Sequence, residues 1–261
     1  MDTQTLVRTL AKTLDDAMLE AREIERLTLT HPDLSLEDAY VVQDHGIRLR
    51  LGRGERQIGL KMGLTSKAKM EQMGLHSSIY GVLTDRMQVM DGGTFSLKGA
   101  IHPKIEPEIG FIVGREIRGK ITAQEAWEVC SSVFGALEIL DSRFLNFKYF
   151  SLPDVVADNC SSSYFVISKI HEKPAGLRIY DLTMTMKING VAAQTAKSSE
   201  ILGNPLESLV MLCELLNSRG SYLPAGSIVL AGAATVAVAL EPGMQVSIEV
   251  EGLSGASVSV V

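Results

Sequence analysis

The sequence predicts a mixed α+β protein with a curved or barrel-like β core and N-terminal helices packed outside it. Three observations predict this. Apolar residues recur at helical spacing over residues 3–51. From Tyr164 onward short β patterns dominate, with one helix between them. Strands seldom alternate with helices, which argues against a doubly wound parallel sheet. The 261 residues, 46% hydrophobic and 21% charged, suffice for a sizeable core. The reading is a single domain over residues 1–261, with a helical portion at 1–55 and a β-rich portion at 56–261.

In chain order, Leu6, Val7, Leu10, Leu14, Ala17, Met18, Ala21 and Ile24 predict an amphipathic helix over 3–24. His31-Pro32-Asp33 breaks it, and Ser35-Leu36-Glu37-Asp38 reads as a capping box opening a helix to about Leu51. Residues 58–65 read as an apolar, glycine-containing strand. Ser66 would cap a short helix to Gly74, and the polar loop from His76 to Gly81 suits a cover over a site. Phe95 to Leu97 is a short strand, and Thr122-Ala123-Gln124-Glu125 is a second capping box. Phe144, Phe147, Tyr149 and Phe150 form an aromatic cluster suited to core or interface. Val155-Val156 reads as the end of an apolar strand, followed by polar groups at 158–163. Strands are then expected near 164–168, 181–188, 191–195, 227–231, 234–239, 244–250 and 256–260. Asn189-Gly190 signals a hairpin. Asn204-Pro205 opens a helix that ends near Gly220.

The chemistry concentrates in His102-Pro103-Lys104-Ile105-Glu106-Pro107-Glu108-Ile109-Gly110. On a strand, residues two apart share a face, so Glu106 and Glu108 present two carboxylates to one place. Ile105 and Ile109 face the other way. Converging carboxylates stay ionised if a cation lies between them, and hard oxygen ligands suit Mg²⁺ or Mn²⁺. A solvated strand face is the alternative. A third acid, Glu138, sits inside the apolar run Val133–Leu140, where a carboxylate needs a partner or a metal. An ion pair with Arg143 is its alternative. Lys61 likewise interrupts an apolar strand, as a proton donor, as a partner for a substrate carboxylate, or as a lysine reaching for solvent. Asp158 and Ser161–Ser163 suit hydrogen bonds to a small acid, or simply a polar turn.

Composition excludes other classes. A net charge of −6 argues against nucleic acid or an anionic membrane surface as partner. Cys130, Cys160 and Cys213 are odd in number and lack metal-ligand spacing, as expected for a reducing cytoplasm. No apolar stretch reaches membrane-spanning length, and the acidic N-terminal residues fit neither a secretory nor a transit peptide. No Walker loop, dinucleotide fingerprint or G-x-S-x-G elbow is present.

Together, Gly59-Leu60-Lys61-Met62-Gly63-Leu64-Thr65-Ser66, His102 to Ile109, Glu138-Ile139-Leu140-Asp141-Ser142-Arg143 and Val156-Ala157-Asp158-Asn159 resemble the hydratase/decarboxylase family of the fumarylacetoacetase-like superfamily. The resemblance spans nearly the whole chain. It implies a fumarylacetoacetase C-terminal-domain-like β-roll and a Mg²⁺ or Mn²⁺ site on Glu106, Glu108 and Glu138. The active-site lysine would be Lys61, and Lys61, Ser66, Asp158 and Ser162 would contact substrate. No organic cofactor is implied. The implied activity is decarboxylation of the 2-oxo dicarboxylic acid 2-oxo-3-hexenedioate, in the meta-cleavage route of aromatic catabolism. Hydration of 2-hydroxypentadienoate is the alternative, as is a non-catalytic partner of such a hydratase. The implied assembly is a homo-oligomer, with a possible complex with the hydratase. Hydratases of the family tend to read G-K-K and Q-P-R where this chain has Gly59-Leu60-Lys61 and His102-Pro103-Lys104, which favours decarboxylation. Two stretches depart from the family pattern. Gln194 to Glu200 replaces a glycine- and alanine-rich segment, and Leu230-Ala231-Gly232-Ala233-Ala234-Thr235 replaces a more glycine-rich turn.

Overall fold

A computed structural model describes residues 2–66, 78–147 and 151–261. The expectations for the helix to Gly74, for His76, and for Tyr149 and Phe150 lie outside these residues. Three helices come first: α1 (Thr3–Leu19), α2 (Leu27–Thr30) and α3 (Leu36–Gly52). The Asp2 side chain caps α1 by accepting from Thr5 N, and Ser35 with Asp38 forms the capping box of α3. Helix α1 stops five residues short of the expected end. Ala21 adopts a left-handed conformation, φ 48°, and Arg22 N turns back to Ala17 O. α1 and α3 pack together, joined by a bidentate Arg53–Asp15 pair at 2.6 and 2.7 Å.

The strands are β1 (Gln57–Gly63), β2 (Ile79–Thr84), β3 (Gln88–Val89), β4 (Gly93–Phe95), β5 (Lys104–Val113), β6 (Cys130–Leu140), β7 (Ser162–Ile167), β8 (Thr183–Ile188), β9 (Val191–Lys197), β10 (Ile228–Ala233), β11 (Val238–Ala239), β12 (Gln245–Val250) and β13 (Ser257–Val260). Between them lie α4 (Ala123–Val129), α5 (Leu152–Ala157) and α6 (Pro205–Ser218). An eight-stranded sheet runs β2-β1-β10-β5-β6-β7-β3, with β11 added to β5, and a five-stranded sheet runs β4-β13-β12-β8-β9. The Asn189-Gly190 hairpin joins β8 to β9 with both residues at positive φ, 52° and 79°. Capping at Thr122 and at Asn204-Pro205 follows the expectation.

One expected element has the wrong type. Residues 152–157, which include Val155 and Val156, form helix α5 rather than the end of a strand. Three apolar residues cannot distinguish the two, and Pro153 in the first turn, after Ser151, was the overlooked helix signal.

The large sheet is strongly curled. β1 and β6 are three steps apart in its strand order, roughly 14 Å on a flat sheet. Yet side chains from these two strands meet inside it, as described below, and its β2 and β7 also touch. Phe111, Phe134, Phe144 and Phe165 fill the core. Among the described residues no helix is long and apolar enough to cross a membrane.

Candidate metal and substrate site

The site begins with strand register. β5 and β6 pair antiparallel with Glu106 opposite Glu138 and Glu108 opposite Ala136. Residues directly opposite share a face, so all three carboxylates project to one side of the sheet. One oxygen from each lies within 4.8 Å of the others. Glu108 and Glu138 are fully buried, and Glu106 is half-buried and opens to a cavity. Burial, with Glu138 and Glu106 beside it, holds the Glu108 carboxyl well above the usual carboxylate range.

A bulge on the neighbouring strand completes this corner. Leu230 of β10 pairs with Gly110, but Ala233 pairs with Glu108, so β10 carries an extra residue there. Gly232 lies in the bulge at φ 101° and donates its N–H to Glu108 Oε2 at 2.7 Å. A Cβ on Gly232 would sit 2.1 Å from Thr65 Oγ1, so the position admits only glycine. Part of the family departure at 230–235 thus retains a defined job: one backbone N–H for one carboxylate oxygen.

Lys61 reaches the carboxylates from β1. It is 3% exposed, and its Nζ lies 2.9 Å from Glu138 Oε2. Burial alone would lower its pKa, but Glu138 and the other two acids outweigh burial and raise it, so Lys61 is an ammonium. The alternative reading of Glu138, an ion pair with Arg143, does not hold: Lys61 pairs with Glu138, and Arg143 pairs with Asp158. Nζ also donates to Cys160 O at 3.4 Å.

In ionised form the three carboxylates and the ammonium would sum to −2, and a bound cation would favour that form over the protonation that burial imposes on Glu108. Among the described residues, Glu108 Oε1 and Glu138 Oε1 are buried with no hydrogen-bond donor. Oxygen ligands, net charge and undonated oxygens together fit a divalent hard cation held by Glu106, Glu108 and Glu138.

The cavity beside this corner has a volume of about 230 Å³. That is below the roughly 300–1,000 Å³ of sites for drug-sized ligands, so it suits a small molecule. Lys61, Ser66 and Glu106 supply polar walls, and Ile79, Leu140 and Val155 apolar ones. Ser66 lies on the cavity wall.

Asp158 does not. Its carboxylate is bound by the Arg143 guanidinium and by Arg143 N, and it lies off the cavity wall. Burial lifts this carboxyl to about 6 even though Arg143 pulls it down. Arg143 also donates to Asp141 O at 2.6 Å, so the pair bolts the end of β6 to the turn before β7. The Ser162 hydroxyl is buried off the cavity wall too, with no hydrogen-bond partner among the described residues. Gln194 to Lys197 lie on β9, the outer strand of the five-stranded sheet.

Sequence reasoning missed Asn159 and Cys160. Asn159, Cys160 and Ser161 take left-handed conformations in succession, φ 49°, 54° and 56°. Each costs roughly 1–3 kcal/mol for a non-glycine residue. The only signal was their neighbourhood to Asp158. Cys160 lines the cavity; burial pushes its thiol up to about 12, and the thiol donates to Tyr80 O.

Residues 62–261 match the model of the fumarylacetoacetate (FAA) hydrolase C-terminal family. The chain is 43% identical to a 4-oxalocrotonate decarboxylase from a Pseudomonas species over 96% of each chain. It is 34% identical to a 2-hydroxyhexa-2,4-dienoate hydratase from Comamonas testosteroni, over 99% of this chain and 98% of that one. Its fold superposes, with a TM-score of 0.95 and 35% identity, on 4-oxalocrotonate decarboxylase from Pseudomonas putida G7 complexed with magnesium and adipate. That match covers 100% of this chain and 99% of the other.

Proposed function

This chain belongs to the fumarylacetoacetate hydrolase C-terminal family, and we propose that within it the protein is a metal-dependent carboxy-lyase acting on 2-oxo-3-hexenedioate. The products would be 2-hydroxypenta-2,4-dienoate and CO₂. The observation that carries the reading is the Glu106–Glu108–Glu138 corner with Lys61 2.9 Å from Glu138, opening on a small, partly apolar cavity. Its relatives support it: the Pseudomonas putida G7 enzyme was solved with magnesium and adipate, a six-carbon dicarboxylate.

Bound by Glu106, Glu108 and Glu138, Mg²⁺ or Mn²⁺ would supply a Lewis acid for the 2-oxo-acid end of the substrate. The bond to the distal carboxylate breaks, and its electron pair runs through the conjugated double bond to the 2-oxo oxygen, which takes a proton. Lys61 is the residue of this chain placed to hold that proton, or to meet a substrate carboxylate, at Nζ. Leu140 and Val155 exclude water from one side of the cavity, which favours loss of an anionic carboxylate as neutral CO₂. Ser66 offers a hydroxyl on the cavity wall, whereas the Ser162 hydroxyl, on β7 opposite Leu140, lies off it.

Hydration of 2-hydroxypentadienoate is the second reading, favoured by the similarity to the Comamonas hydratase. One assay separates the two. The protein is incubated with 2-oxo-3-hexenedioate and Mg²⁺, then with EDTA, while CO₂ and the conjugated absorbance are followed. CO₂ that disappears with EDTA is the expected result. Absence of CO₂, with 2-hydroxypentadienoate consumed instead, assigns the chain to the hydratases. Silence with both substrates favours a non-catalytic partner of the hydratase. The expected setting is the cytoplasm and the expected assembly a homo-oligomer, measurable by light scattering, and a complex with the hydratase would appear in the same experiment.

A further inference from the structure

Asn159 stands where the curled sheet closes. Its side-chain amide donates to Val82 O at 2.9 Å and accepts from Val82 N at 2.8 Å. That is the donor–acceptor pair a neighbouring strand residue would offer, so Asn159 extends β2 toward β7 without a strand being there. The next residue, Cys160, aims its carbonyl at Lys61 Nζ, 3.4 Å away, and its thiol donates to Tyr80 O, also on β2. Gly81, between these two β2 contacts, admits no Cβ: it would lie 2.7 Å from Asn159 O and 3.3 Å from Lys61 Cδ. Beyond Cys160, Ser161 O accepts from Asp141 N, and Arg143 holds Asp158 in front. The three left-handed residues are thus fixed from both ends, and the strained carbonyl has one direction to point.

We propose that Asn159 is a positioning residue: through the Cys160 carbonyl it fixes the Lys61 ammonium between that carbonyl and Glu138. The role rests on the reading of Lys61 as the group that handles substrate. A side chain with four rotatable bonds needs more than one contact to hold a single position, and here one anchor is the glutamate and the other a backbone oxygen placed by the amide clamp.

The test uses Asn159→Gly. Glycine adopts the left-handed conformation without strain, so the turn can form while the clamp is lost. Turnover number, KM and calorimetric Mg²⁺ affinity are measured, and the crystal structure of the variant is solved. The expected result is a fall in kcat of about 10- to 100-fold, KM and Mg²⁺ affinity within about twofold, and Lys61 Nζ displaced from Cys160 O. Val258→Ala, a core change in the smaller sheet, controls for lost stability and should leave kcat unchanged. Unchanged kcat in Asn159→Gly, or parallel loss of kcat, KM and metal affinity, overturns the proposal. If the unaltered protein turns over neither 2-oxo-3-hexenedioate nor 2-hydroxypentadienoate, the reading of the reaction fails. The proposal is then decided by the position of Lys61 in the two crystal structures: displaced supports it, unmoved rejects it.

Discussion

In the five-stranded sheet, β12 buries every second residue: Val246, Ile248 and Val250 face in, while Gln245, Ser247 and Glu249 face out. In the eight-stranded sheet, β6 is buried at ten of its eleven residues, so both of its faces are covered. Each strand carries a glutamate paired with a lysine on another strand of its sheet. Glu249 meets Lys187 at 2.6 Å on the surface, and Glu138 meets Lys61 at 2.9 Å in the interior. The sequences around the two glutamates are both β-like. The difference is that outward alternation gives Glu249 a solvated face, whereas Glu138 has none. A charge kept on a strand without a polar face must be compensated locally, and here the compensation is a lysine and a geometry that accepts a cation.

The largest expected effects fall on the interior pair. Lys61→Met should lower kcat about 10³-fold, within the range for a lost proton-handling group, while Mg²⁺ binding persists. A rate within a few-fold of the unaltered protein in steady-state assays would make Lys61 a structural counter-ion only. Glu138→Gln removes one ligand and should weaken Mg²⁺ binding by more than about 100-fold in calorimetry, with the circular dichroism spectrum unchanged. Retained affinity would take Glu138 out of the metal site.

Next come residues that support this region without touching the cavity. Arg143→Met leaves Asp158 buried without its cation, which should cost about 3–5 kcal/mol in urea unfolding. Adding Asp158→Leu should recover much of that loss, because no buried charge then lacks a partner. If the double variant is no more stable than the single, the pair is not what Arg143 contributes.

These residues also mark how far the sequence could be read. The metal corner was legible because two-residue spacing on a strand determines a shared face, and because one acid in an apolar run stands out. Lys61 was legible for the same reason. The mutual pairing was not: Arg143 lies five residues from Glu138 but beyond the end of β6 at Leu140, where the chain has left the strand and Arg143 pairs with Asp158. The turn at 159–161 was read only as polar, since left-handed backbone at Asn, Cys and Ser has no compositional signature and exists only because contacts from β2 and β6 impose it. The curl of the large sheet was expected as a class of fold. What it accomplishes, bringing β1 to β6, depends on strand order, which is a long-range property.

The smallest effect should come from the exterior pair. Glu249 is 63% exposed at its side chain and Lys187 30%. Water solvates both charges whether or not they meet, salt screens them, and holding two long side chains together costs rotamer entropy. Glu249→Gln should therefore change unfolding stability by about 0.5 kcal/mol or less, with kcat and Mg²⁺ affinity unaltered. A loss as large as that expected for Arg143→Met would mean that this face of the small sheet is covered in solution, by a second copy or another chain. The comparison would then shift from surface against interior to one covered sheet against another, and the decisive measurement would be whether the loss depends on protein concentration.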